Sequence, residues 1–216
     1  MPFTLEEMRA RLHSLRFEIL LASLISVFIL NMIFPNSAYG GLAQDIFIPF
    51  QLIAAIILFE KKKAIVILAC SITTLWVVNV FFNTDLQFIV ILLYIVFSWK
   101  IMIEVFVQIG RAASLSQKSI VASICGLLLI GCCGFYVFMA IEIYQPGSFS
   151  GLGQGTQAVN DLFYFTYVTI LTIGYGDITP QTWIAKNATV LVAFVGYIYS
   201  IVVIAAIVGG VRRKLP

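Results

Sequence analysis

The chain has 216 residues, of which 61% are apolar and only 11% charged, and its mean hydropathy is +1.04. That composition excludes an ordinary soluble domain, and the small net charge of +3 gives no footprint for a nucleic-acid partner. Several uncharged apolar runs are long enough to cross about 30 Å of hydrocarbon as helices of roughly 20 residues, whereas the alternation of a membrane β-barrel is absent. The expected fold class is an all-α integral membrane protein.

Residues 1–16 carry Phe3, Leu5, Met8, Leu12 and Leu15 at helical spacing, with Thr4 and Glu7 placed as a capping box and arginines on the other side. Two readings fit: an amphipathic helix on the cytoplasmic membrane surface, or a plain extension of the first crossing. The pattern lacks the short apolar core and cleavage site of a signal peptide, so the first crossing is expected to be retained.

Six crossings are expected, at residues 17–34, 44–59, 64–82, 86–109, 119–143 and 183–209. The first four, within residues 17–113, form a peripheral four-helix domain, and residues 114–216 form a second unit. Pro35-Asn36-Ser37 and Asn83-Thr84-Asp85 supply turn chemistry between neighbouring helices. Basic clusters at Arg9/Arg11/Arg16, Lys61–Lys63, Arg111/Lys118 and Arg212/Arg213/Lys214 all fall on one side of this scheme, which puts both termini in the cytoplasm. Lys100 and Lys186 are exceptions. Lys100 stands four residues from Glu104, so the two can neutralise one another, or Lys100 can snorkel to the inner surface. Cys70, Cys125, Cys132 and Cys133 lie in apolar runs without metal-ligand spacing and are read as packing residues.

After the fifth crossing, residues 145–155 are Gly/Ser-rich and uncharged, as in an exposed outer loop. A short aromatic helix follows at 160–171, too short to span the bilayer, with Asn160 or Asp161 as its N-terminal cap. It leads into Thr172-Ile173-Gly174-Tyr175-Gly176-Asp177. A polar, glycine-rich break at membrane depth is tolerated only where it is buried in protein or lines a watery path, and it reads as an ion-selectivity filter. Glycines at i and i+2 let alternate residues take positive φ, which turns successive carbonyls the same way. The carbonyls of Thr172, Ile173, Gly174 and Tyr175, with the Thr172 hydroxyl below, would then face a dehydrated cation. One chain offers too few oxygens, so several copies must share an axis. Asp177 would stand at the outer mouth, raising local cation concentration or anchoring the break by hydrogen bonds.

Residues 158–180 resemble the pore helix and signature filter of tetrameric potassium channels, whose TVGYG differs from Thr172–Gly176 only by valine in place of Ile173. The resemblance implies four subunits around one pore and K+ bound at Thr172, Ile173, Gly174 and Tyr175, with Gly176 completing the signature. Along the inner helix, 183–211, Gly196 falls at the position of the family's gating hinge; a small residue easing helix packing is the other reading. Glu142 can hydrogen-bond behind the pore or stand as a solvated interfacial acid.

The resemblance stops at the fourth helix. Between residues 86 and 109 the only basic residue is Lys100, against the arginine ladder of a voltage sensor, so strong voltage gating is not expected. Other readings remain: a weakly selective cation channel, a secondary transporter with internal repeats, or a non-conducting membrane scaffold. Catalysis has no candidates, since no nucleophile motif or phosphate loop is present. No cofactor is expected, K+ being the permeant ligand, and the expected partners are identical subunits and lipids. The short stretch beyond the last helix leads to the expectation that gating acts within the membrane region. The sole histidine, His13, is a weak candidate for pH sensing. A bacterial inner membrane is the expected location.

Overall fold

The computed structural model describes residues 5–33, 50–59, 63–82, 87–111 and 117–212. Long apolar stretches with little Pro or Gly become helices, because the backbone of a membrane segment must satisfy its own hydrogen bonds. In chain order they are α1 (Leu5–Ser14), α2 (Arg16–Ile33), α3 (residues 50–58), α4 (Lys63–Phe82), α5 (Gln87–Arg111), α6 (Gln117–Tyr144), α7 (Thr156–Ile170) and α8 (Trp183–Arg212). Among the described residues, Phe88–Gln108, Lys118–Tyr144 and Trp183–Ala205 are long and apolar enough to cross a membrane. Helices α2 and α4 overlap the expected crossings at 17–34 and 64–82, and α3 overlaps part of the one at 44–59, whose residues 44–49 lie outside the described residues. Thr4, both expected outer turns and Lys61–Lys62 lie outside the described residues.

The all-α expectation needs one correction. Two short strands, β1 (Phe149–Ser150) and β2 (Thr179–Pro180), pair antiparallel with Phe149 opposite Pro180 and Ser150 opposite Thr179. The 145–155 loop is therefore not simply exposed: Ser148 and Phe149 are buried, and the Phe149 ring sits 5.3 Å from Phe138 of α6 and 5.5 Å from Phe165 of α7. An apolar residue amid glycines and serines is the sequence signal for this anchor.

The core runs between α2, α5, α6 and α7. Tyr94 of α5 stacks on Tyr136 of α6 at 5.2 Å, and Phe135 of α6 meets Phe163 of α7 at 5.6 Å. Phe28 of α2 reaches both Phe163 (5.0 Å) and Tyr167 (4.8 Å). Cys125, Cys132 and Cys133 are buried in this core and Cys70 is exposed; all are free thiols.

At the opposite end of α2 a polar cluster holds the helices together. Arg16 Nε donates to Gln108 Oε1 at 2.7 Å; Gln108 Nε2 donates to Glu104 Oε1 at 2.7 Å and to the Leu58 carbonyl at 3.2 Å. Glu104 is thus engaged by Gln108 rather than by Lys100, which is exposed, because the amide reaches one turn back along α5 while the lysine points outward. Gln108 joins α2, α3 and α5, and Gln108→Leu should leave three groups without their partner. A loss of about 1–3 kcal/mol is expected, read as a lower unfolding midpoint in detergent.

Candidate functional site

The site begins with α7. It starts at Thr156, four residues before the expected position, with Gly155 at φ 60° ahead of it and no side-chain cap. Asp161 does not cap the helix; its Oδ2 accepts from the Gly153 amide at 2.7 Å and ties the preceding loop to the second turn. The polar Thr156 and Gln157 are exposed at the helix start, which is why the pattern resembled loop. Fifteen residues make α7 about 22 Å long, short of the bilayer core.

Two neighbours fix α7 from behind. Gly131 of α6 leaves room for the Tyr167 ring, whose hydroxyl donates to the Leu128 carbonyl at 2.9 Å. Gly196 of α8 is buried, and a Cβ there would lie 2.7 Å from Ile170 Cγ2. The glycine thus allows α8 to approach the end of α7 closely, and α8 runs through it as one unbroken helix.

Beyond Ile170 the chain doubles back on the last turn of α7. The amides of Ile173 and Gly174 both donate to the Val168 carbonyl, at 2.9 and 3.4 Å, and that of Thr172 donates to Thr169 at 3.1 Å. Positive φ then recurs at every second residue: Thr172 (56°), Gly174 (62°) and Gly176 (79°). The glycines were anticipated; Thr172 was not, although extending the alternation one step would have found it. A β-branched residue in the left-handed region is strained, and such strain persists where the surroundings enforce it. None of the carbonyl oxygens of Thr172, Ile173, Gly174 or Tyr175 accepts a hydrogen bond from another described residue. Residues 171–177 are all exposed in the single chain, Tyr175 at 71%.

Around this stretch stand features that sequence reasoning missed. The Tyr164 hydroxyl faces the Asp177 carboxylate. An open groove of about 590 Å³ lies beside it, lined by Phe28, Tyr164, Val168, Leu171, Ile173 and Tyr175 among others. The face of α8 is largely bare: Val190, Leu191, Phe194, Val202 and Ile204 are each more than half exposed. Thr182 caps α8 through its hydroxyl, which accepts from the Ala185 amide at 3.3 Å. Glu142 is half-buried rather than simply solvated. Its two oxygens accept from the Gly147 and Phe149 amides at 2.7 and 3.2 Å, fastening the loop to the end of α6.

Residues 123–212 match the family described as "Ion channel". The chain is 41% identical over 64 residues to Two pore potassium channel c of Oryza sativa subsp. japonica, covering 29% of this chain and 14% of that protein. It is 35% identical over 81 residues to Two-pore potassium channel 2 of Arabidopsis thaliana, covering 38% and 17%. Protein LctB of Geobacillus stearothermophilus is 28% identical over 111 residues, half of this chain and 82% of that protein. The chain spans only 14% and 17% of the length of the two plant relatives. No solved structure matches significantly. Residues 123–212 are thus similar to an ion-channel family, and shorter stretches of the chain to proteins named as potassium channels.

Proposed function

We propose that the chain forms a homotetrameric, potassium-selective channel that conducts K+ passively. Four copies of Thr172–Gly176 line one axis, and K+ binds the carbonyls of Thr172, Ile173, Gly174 and Tyr175 with the Thr172 hydroxyl beneath them. The observation that carries the reading is the alternation of positive φ at Thr172, Gly174 and Gly176. It goes with amides turned back onto Val168, so the carbonyls are left for another ligand. The exposed stretch 171–177 and its unpartnered carbonyls favour burial against further copies, since backbone polar groups at membrane depth cannot be left to lipid. Ions lose water to the oxygens, bind weakly enough to leave, and move in file. Asp177 stands at the outer mouth and Gly196 allows the inner helix to bend. The protein spans a bacterial inner membrane six times with both termini inside, and the α5 segment, with Lys100 exposed and no arginine ladder, does not drive steep voltage gating.

Purified protein in planar bilayers under opposed K+ and Na+ solutions tests the reading. The expected reversal potential lies near the K+ equilibrium value, with a conductance that varies shallowly with voltage. A reversal near zero with robust current would establish a weakly selective cation channel instead, and absence of current would favour the scaffold.

A further inference from the structure

A stack of carbonyl oxygens facing one axis repels itself unless cations sit among them. Ion binding therefore holds the stacked form by mass action, and when K+ is scarce the stack depends on the protein around it. At the inner end the Val168 carbonyl holds the amides of Ile173 and Gly174. The outer end is held by something the sequence did not announce. β1 is paired with β2 only two residues beyond Asp177. Gly151, at φ 86°, lies so close under the Asp177 carbonyl that a Cβ would overlap that oxygen. The Gln181 side-chain amide donates to Ser150 Oγ and to Thr179 Oγ1, both at 2.8 Å, and Ser150 Oγ and Thr179 Oγ1 share a further bond at 2.7 Å. The Gln181 backbone amide donates to the Ser148 carbonyl at 2.7 Å. Each part of the strap is in turn fixed to a rigid element: Phe149 to α6 and α7, Gly153 to Asp161 of α7, and Gly147 to Glu142 of α6.

We infer that residues 148–151, latched by Gln181, are a positioning clamp that keeps the outer end of the carbonyl stack in register when K+ is depleted. Ser150, Gly151 and Gln181 are positioning residues; none touches the ion path. The inference rests on the channel reading above. It differs from ordinary structural support in a specific way, since its effect must grow as K+ falls.

The test is current through the reconstituted full chain in planar bilayers, first in symmetric high K+, then with the outer solution replaced by K+-free Na+ solution, then with K+ restored. Ser150→Ala/Gln181→Ala should conduct in high K+, lose at least about tenfold more current than the unmutated chain during K+-free exposure, as expected for the three hydrogen bonds lost, and recover when K+ returns. Gly151→Ala should behave the same way by crowding the Asp177 carbonyl. An unchanged response to K+ removal in both variants overturns the clamp. So does a loss of current by the same factor at every K+ concentration, which marks plain destabilisation. Absence of K+ current from the unmutated chain is a different failure, which removes the channel reading and the clamp with it.

Discussion

Gly174→Ala should abolish K+-selective flux while leaving the chain helical and inserted. Gly174 has φ 62°, and an alanine in the left-handed region costs about 1–2 kcal/mol. In the proposed tetramer four copies share that cost, about 4–8 kcal/mol in all, enough to lower the population of the stacked form by roughly a thousandfold or more. In the single chain a Cβ at this position meets nothing within 4 Å, so the effect is one of backbone conformation and not of collision. Ile173→Val restores the commoner signature residue at a position with ordinary φ and should change flux little. Reversal potentials and liposome flux measured on both variants check the pair. Retained discrimination between K+ and Na+ in Gly174→Ala would remove the carbonyl stack as the basis of selectivity.

Gly131→Ala should destabilise the protein from the far side of the same helix. A Cβ on Gly131 would run into the Tyr167 ring, which is itself held by its bond to the Leu128 carbonyl and packed against Phe28 and Phe163. The ring has nowhere to turn, and overpacking of this kind costs about 1–3 kcal/mol in each chain. The expected readout is a lower unfolding midpoint in detergent together with reduced flux. Gly131→Ala/Tyr167→Leu should be less damaging than the sum of the two single changes, since the smaller side chain vacates the contested space. Strict additivity would mean that the two residues do not meet.

How legible this was depends on the kind of interaction. Helices α2, α4, α5, α6 and α8 start and stop within a few residues of the apolar runs, because backbone self-satisfaction in a membrane ties hydropathy directly to helix length. The break at Thr172–Asp177 was legible for the same reason in reverse: glycines and a carboxylate have no other use there. The start of α7 was not, because Thr156 and Gln157 are polar in an exposed first turn and Asp161, the apparent cap, is taken by the Gly153 amide. The β1–β2 pair was invisible, since two residues a side have no period to detect, and Gln181 earns its partners only through a return of the chain across 31 positions. Close approaches at Gly131 and Gly196 likewise need the partner side chains, Tyr167 and Ile170, to be placed before the glycines acquire meaning.

Phe28 touches Phe163 and Tyr167 of its own chain, and α5 packs on the α6 that follows it after only five intervening residues. Five residues reach at most about 18 Å, so α5 is tethered beside its own α6 rather than a neighbour's. Each newly made chain can therefore complete its aromatic core alone. In the proposed tetramer, assembly then becomes an association of finished wedges, requiring no exchange of helices, and a chain with a damaged peripheral half would weaken its own quarter of the ring without unseating the next.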